Sequence, residues 1–373
     1  MRWSKVFLLG ASVALPLVAC GSSPAAEGPT KLSTLRAAPS LSAPRATHAI
    51  VQSGGYVLLI GGCVRDGCDP GPESATVDML LPGQAPVVGR LLARRVQPSA
   101  AALADGRVLV LGGWVGGRVD ASTEIFDPRS RSSTAGPDMA APRNAAAVAV
   151  LPDGRVLIAG GYDGRRVLAS AEIFDPATGE LTPTGRLGEA RSGATATLLR
   201  DGRVLIAGGG TGESAGRVAL ASAEIYDPST GRFSPTAPLA QRRYKHGAVA
   251  LADGNILVVG GSDECDYEGK LDTVERYDVR TGRWISAGHL AQPRFKLADA
   301  SVLLPSGKVL VAGGFERPEL FDPATGTSRL LPDSLGGRWN YLTAARAGAH
   351  VLLAGGYSEG SIRVSDRAWL LDL

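Results

Sequence analysis

A pair of adjacent glycines returns along this chain at a nearly constant interval, each time closing a short apolar run. The runs are LADGRVLVLGG (103–113), LPDGRVLIAGG (151–161), LRDGRVLIAGG (199–209), LADGNILVVGG (251–261) and LPSGKVLVAGG (304–314). Divergent copies flank them, QSGGYVLLIGG (52–62) and RAGAHVLLAGG (346–356). The second glycine falls at 62, 113, 161, 209, 261, 314 and 356, so the intervals are 51, 48, 48, 52, 53 and 42 residues. A unit of that size cannot bury its own apolar face, so consecutive copies must pack on one another. All 373 residues then suit one array better than the two or three domains their number first suggests.

One copy can be read from its chemistry. Asp-Gly between two apolar runs is a strong hairpin signal, because a tight primed turn needs positive φ at both central positions. The run after it is a short β-rich strand, ended by glycines that free the backbone to leave it. A further strand follows in most copies: Glu124-Ile-Phe-Asp-Pro, Glu172-Ile-Phe-Asp-Pro, Glu224-Ile-Tyr-Asp-Pro, Glu275-Arg-Tyr-Asp-Val and Glu319-Leu-Phe-Asp-Pro. Proline cannot donate to a ladder and marks the strand end. A Thr-Gly turn, as at Thr178-Gly179, leads to a fourth strand. The first strand is crowded with small residues such as Ala145, Ala146 and Ala147, which suits an innermost position where units converge.

The period near 50 with a glycine doublet resembles the kelch repeat. That resemblance implies an all-β fold: a kelch-type β-propeller of the galactose oxidase central-domain kind, with four antiparallel strands per blade. Seven doublets argue for seven blades, with six plus a decayed repeat as the alternative. The seventh copy has no fourth strand of its own, and residues 33–41 resemble the segments ahead of Arg143 and Arg191. An N-terminal strand completing the last blade would close the ring and hide both sheet edges. The propeller domain is therefore expected over residues 31–373.

Ahead of it, residues 1–20 place Arg2 and Lys5 before an uncharged run, the pattern of an export signal too short to span a bilayer stably. The end, Leu17-Val18-Ala19-Cys20, resembles a bacterial lipobox, in which the signal (1–19) is cut off and the Cys20 thiol is lipidated. An ordinary secretory signal is the alternative. Residues 20–30 then form the lipidated end and a Gly/Ser/Pro tether. Gly21 directly after the cysteine resembles outer-membrane sorting, if the cell is Gram-negative. The whole chain has 39 Lys and Arg against 36 Asp and Glu. Without Arg2 and Lys5 the balance is nearly neutral, so net charge recruits neither nucleic acid nor anionic lipid.

Counting ten positions back from each hairpin turn gives Pro44 (beside Arg45), Arg95, Arg143, Arg191, Arg243, Lys296 and Arg338. Two readings follow: an anion-binding mouth built of planar guanidinium forks, or structural pairing with the acids of the third strands. Seven positions back, the series Thr47, Pro98, Ala146, Ala194, His246, Asp299, Tyr341 turns from small to functional in the last three copies. With Tyr244 and Trp339 beside them, these side chains suit a sugar or an acidic peptide; drift in a degenerate repeat is the alternative. The candidate ligand-binding set is thus Arg243, Tyr244, His246, Lys296, Asp299, Arg338, Trp339 and Tyr341. In an exported chain Cys63 and Cys68 suit a local disulfide, leaving Cys265 odd. Asp263, Glu264, Asp266 and Glu268 lack the spacing of a Ca²⁺ loop and read as a solvated acidic stretch.

The resemblance extends to galactose oxidase, whose chemistry needs a copper held by two His and two Tyr. His48, His246, His289 and His350 fall at different repeat positions and make no such set. No metal or cofactor is expected. The reading is an envelope-anchored, monomeric, non-catalytic module that binds a protein or glycan through its loop face, touching the membrane by its lipid alone. The alternative is a carbohydrate-active enzyme, oxidase- or epimerase-like, with His246, Asp299 and Tyr341 as its acid–base candidates.

Overall fold

The computed structural model describes residues 34–212, 218–263 and 269–373; Cys20, Cys265 and the tether lie outside them. Strands make up the regular structure, and the one helical segment among the described residues is a 3-10 turn at Pro72–Ala75.

Each repeat copy folds into its own antiparallel sheet, with neighbouring strands consecutive in the copy. In the third copy the strands are Ala147–Val150, Val156–Ala159, Ala171–Asp175 and Glu180–Pro183. A single parallel bridge, Ser132 to Arg90, also joins the outer edges of the first two copies. The seventh copy supplies Thr343–Ala347, His350–Ala354 and Ala368–Asp372. Leu35–Ala37, from the opposite end of the chain, lies antiparallel to the last of these, with Leu35 opposite Leu371.

The sheets pack face to face, and the second strand of each copy shows why its sequence is apolar throughout. Val108 and Val110 pack with Leu58, Ile60 and Met79 of the first copy, while Leu109 and Leu111 pack with Val156, Ile158 and Phe174 of the third. A strand buried on both faces has no polar alternation. Each such aliphatic contributes about 1.5–3 kcal/mol by leaving water. The same packing joins the seventh copy to the first, where Leu352, Ala354 and Leu370 meet Leu41, Val57 and Leu59. Innermost strands neighbour one another in cyclic order, Ala49–Ser53, Ser99–Ala102, Ala147–Val150, Thr195–Leu198, Gly247–Ala250, Ser301–Leu303, Thr343–Ala347 and back to the first. Such radial packing of sheets is a β-propeller.

Two local expectations need correction. The Asp-Gly hairpins are not two-residue primed turns. Leu103 and Arg107 face each other across Ala104-Asp105-Gly106, with Gly106 at φ 88° and its N–H donating to Leu103 O. This is a three-residue loop ending in one left-handed residue. Two-residue loops occur in the first copy, where Gly54 and Gly55 both lie at positive φ between Ser53 and Tyr56, and in the seventh, where Gly348 at φ 63° opens the loop between Ala347 and His350. The glycine doublets also do more than free the backbone. A Cβ on Gly112 would stand 2.1 Å from the carbonyl oxygen of Arg143, and the Gly113 N–H donates to that same oxygen at 2.9 Å. The doublet is where one copy's main chain presses on the next.

Candidate binding face and central channel

The basic ring turns inward. Arg45, Arg95, Arg143, Arg191, Arg243 and Arg294 are each at most 1% exposed. Their partners are Asp78, Glu124, Glu172, Glu224, Glu275 and Glu319, the acids of the third strands. In the third copy Arg143 donates to the carbonyls of Gly160 (2.7 Å) and Ser170 (2.9 Å), to Ser170 Oγ (3.0 Å) and to Glu172 Oε1 (2.8 Å). Glu172 Oε2 in turn accepts from the Ala140 N–H at 2.9 Å. A guanidinium is tolerated in the interior because its donors are taken and its charge is matched. Desolvation pulls the Arg243 pKa down, with the Glu275 carboxylate opposing it. The anion-mouth reading of Arg243 and its counterparts therefore fails: these arginines tie the lead-in loop, the doublet and the third strand together.

The same hydrogen bond resets the register. The second glycine of one copy donates to the carbonyl of the ring residue of the next: Gly113 to Arg143, Gly261 to Arg294, Gly314 to Trp339 and Gly356 to Arg45. In the sixth copy the ring residue is thus Arg294, not Lys296, and in the seventh it is Trp339, not Arg338. Opposite Trp339, Trp369 stands where other copies have the acid, with ring centroids 6.5 Å apart. The indole N–H of Trp339 donates to Leu335 O at 3.2 Å. A tryptophan pair replaces the ion pair, so Trp339 is core rather than ligand surface. Arg338 is half-exposed beyond it, 3.7 Å from Glu359 and over the Phe315 ring. Lys270 also pairs with Glu359. Lys296 is buried, its Nζ 2.8 Å from Tyr357 Oη and over the Phe295 ring at 4.6 Å.

Two residues after each ring position the backbone enters the left-handed region, at Thr47, Gln97, Ala145, Gly193, Lys245, Lys296 and Tyr341, with φ between 51° and 62°. All of these except Lys296 line a central cavity of about 320 Å³ that runs between the innermost strands. Tyr244, His246 and Asp299 line it as well. Of the candidate set, the channel therefore gathers Tyr244, Lys245's neighbour His246, Asp299 and Tyr341, and it excludes Arg243, Lys296, Arg338 and Trp339.

One further residue along, the aligned series is His48, Pro98, Ala146, Ala194, His246, Leu297 and Leu342. Its two histidines have matching environments. His246 Nε2 lies 3.1 Å from Thr195 Oγ1, and His48 Nε2 lies 2.8 Å from Thr343 Oγ1. Each ring packs on the first glycine of the preceding doublet, where a Cβ on Gly208 or Gly355 would stand 2.8 Å from the imidazole Cε1. Burial, with the neighbouring ring arginine adding to it, pushes both imidazoles down to about 3. A neutral, 1% exposed imidazole already engaged at Nε2 is not presented to a substrate as an acid or base. Counting back from the turn missed His48, because the first copy's hairpin is one residue shorter.

Asp299 is reached differently. From ring residue to hairpin takes eight positions in the third copy (Arg143 to Leu151) and ten in the sixth (Arg294 to Leu304). The inserted residues carry Asp299 into the channel at φ 57°. Desolvation among the surrounding walls pushes its carboxyl up to about 6, while the residue as a whole is exposed, facing the solvent of the channel.

At the rim, Cys63 and Cys68 form a disulfide that packs in an apolar cluster with Ala46, Tyr357, Val364 and Tyr341. Its loop holds the seventh copy through Val364 N–H to Asp66 Oδ1 (3.0 Å) and Gly67 N–H to Ile362 O (3.1 Å). The lead-in and post-doublet loops share this face, as bridges such as Asn144 to Tyr162 and Tyr244 to Ser262 show. Glu264, Cys265, Asp266 and Glu268 lie outside the described residues. Among the described residues no group of three or more His, Cys, Asp or Glu is placed to hold a metal ion.

The Kelch motif model matches residues 95–140, 143–180 and 243–290, each stretch opening on one of the buried ring arginines. Over those stretches the chain carries kelch repeats. Kelch-like protein 13 of Mus musculus is 38% identical over 80 residues, 21% of this chain and 12% of that one. Kelch domain-containing protein 7A of Mus musculus is 36% identical over 112 residues, 30% of this chain and 13% of that one. Kelch-like protein 40 of Xenopus tropicalis is 25% identical over 149 residues, 40% of this chain and 22% of that one. The chain thus spans well under two thirds of these relatives, and the likeness rests on the repeats.

Proposed function

We propose that this kelch protein is a non-catalytic binding module, held at the cell envelope, that docks a partner protein on its loop face. One observation carries the reading. The residues common to the copies point inward as ion pairs and apolar core, so departures from the repeat are left at the channel and its rim: Lys245, Asp299 and Tyr341, with Arg338 and Glu359 outside them. Aromatics beside accessible charge at the edge of a rigid frame suit protein recognition. Kelch-repeat proteins generally serve as interaction modules, and fold alone names no ligand.

The frame is read as a seven-bladed ring closed by Leu35–Ala37. Supporting it are the doublet in each of the seven copies, the antiparallel pairing of Leu35 with Leu371 and the packing of the last copy on the first. Closure would bury the edges on which strands of other chains pair. The anchor is read from the lipobox-like Leu17–Cys20, with the tether after it.

The binding reading is tested by capture from envelope extracts and by peptide and glycan arrays, using wild type and the double variant Arg338→Ala/Tyr341→Ala. A discrete protein partner held at least tenfold more weakly by the variant, at unchanged melting temperature, is the expected outcome. Capture indifferent to both substitutions would remove this face, and a response confined to glycans would replace the partner class. Anchoring has its own test: Cys20→Ser should abolish lipid labelling and move the protein from the membrane to the soluble fraction.

A further inference from the structure

The channel wall holds one charge that the fold itself does not answer. The Asp299 carboxylate makes no hydrogen bond or ion pair with the described residues, whereas Asp105, Asp153, Asp163 and Asp201 each accept from a nearby arginine N–H. Its placement is built rather than incidental. The two extra residues that bring it inward occur in the sixth copy alone, and its backbone is left-handed at φ 57°. Its carbonyl accepts from the Ala344 N–H at 2.7 Å, which pins the insertion to the next inner strand. A strained, over-determined position at a cavity is where a functional role is expected.

We propose that the central channel binds a primary ammonium group, held by the Asp299 carboxylate. The cavity, about 320 Å³, is at the small end of ligand pockets. Its other polar walls offer hydroxyl acceptors that complement three N–H donors, from Thr47, Ser99 and Thr197. The Tyr341 ring beside them can take a cation on its face. His48 and His246 are neutral and so do not repel the ligand. Lys245, the one cation on the wall, holds its Nζ over the Tyr244 ring at 5.0 Å. A carboxylate that no cation of the protein answers gains from a bound one. The ammonium can belong to a free small amine or to a lysine of the docked partner. The proposal uses the same opening as the binding reading above but does not depend on a partner being there.

The test titrates the full-length protein with n-propylammonium chloride and with Nα-acetyl-lysine methylamide. Sodium chloride and n-propanol serve as matched controls, and calorimetry and melting temperature are read at pH 7.5. Saturable binding of an ammonium probe, absent for propanol, is expected. Asp299→Asn should weaken it at least tenfold while Asp299→Glu retains it, and lowering the pH to 5 should weaken it about tenfold as the carboxyl takes a proton. At that pH His48 and His246 stay uncharged; Lys245, Tyr244 and Tyr341 are the other titratable side chains on the wall. Binding of propylammonium alone assigns the site to a free amine; binding of the lysine derivative too assigns it to a partner's side chain. Equal behaviour of propylammonium and propanol, or of wild type and Asp299→Asn, overturns the proposal. Partner capture through Arg338 and Tyr341 is read separately, so failure of one leaves the other standing.

Discussion

Replacing Glu172 with alanine is expected to destabilise the propeller by about 3–5 kcal/mol, because it strands the Arg143 guanidinium in the interior without its counter-charge. That is a large share of the ~5–15 kcal/mol that keeps a typical domain folded. Urea unfolding should show a lower midpoint. The side chains involved, 0% and 4% exposed, leave water no route to compensate. Asp105→Ala is the matched control. It removes an acid of the same ring of copies, but one whose partner Arg107 is itself 41% exposed, so the change should stay within about 0.5 kcal/mol. The joint replacement Arg143→Met/Glu172→Leu should recover most of the loss, since a well-packed apolar pair of similar volume is often as stable as a buried ion pair. A Glu172→Ala cost no larger than that of Asp105→Ala would remove the structural role assigned to the buried arginines. The seventh copy is nature's version of the swap: Trp339 and Trp369 fill the place of the charges.

Acid should unfold the protein through its two channel histidines. Each has a folded-state pKa of about 3 against an ordinary value near 6.5. Below pH 6.5 the unfolded chain therefore binds protons that the folded chain refuses, and stability falls as pH falls. At pH 5 the loss is about 2 kcal/mol for each histidine, or about 4 kcal/mol together, and it continues down to about pH 3. Asp299 works the other way. Its folded pKa is raised to about 6, so protonation between pH 6 and 4 favours the folded state and offsets part of the loss. Melting temperatures measured from pH 7 to 4 should decline, and His48→Gln/His246→Gln should flatten the profile while lowering the starting value. A profile unchanged by that double variant would mean that other groups govern acid sensitivity.

How much of this was readable beforehand differs by residue. The Glu-Ile-Phe-Asp strands, the apolar runs before each doublet and the small residues of the inner strands all fell where the repeat placed them, because strand period and turn chemistry are local. The ring of cations was legible as a ring, but its direction was not. Whether Arg243 faces solvent or Glu275 depends on where the third strand passes, and no count along the chain contains that. Register failed for a related reason. Hairpins of two and three residues, and the insertion before Ser301, shift the count from the turn by one or two positions. Lys296, Arg338, Tyr341 and Thr47 were therefore aligned with residues they do not overlie. The Gly-to-ring hydrogen bond, which runs between copies, is the measure that aligns them.

By itself the sequence determined that this chain is all-β, that its unit is a kelch copy closed by a glycine doublet, and that consecutive units must bury each other. Those properties follow from local conformational preference and from apolar surface that a lone copy cannot hide. Only the tertiary structure decided which charges became framework and which remained available. That choice is made between copies, where desolvation makes an unmatched charge too costly to bury: six basic residues found acids and went inside, while the Asp299 carboxylate was left facing the channel.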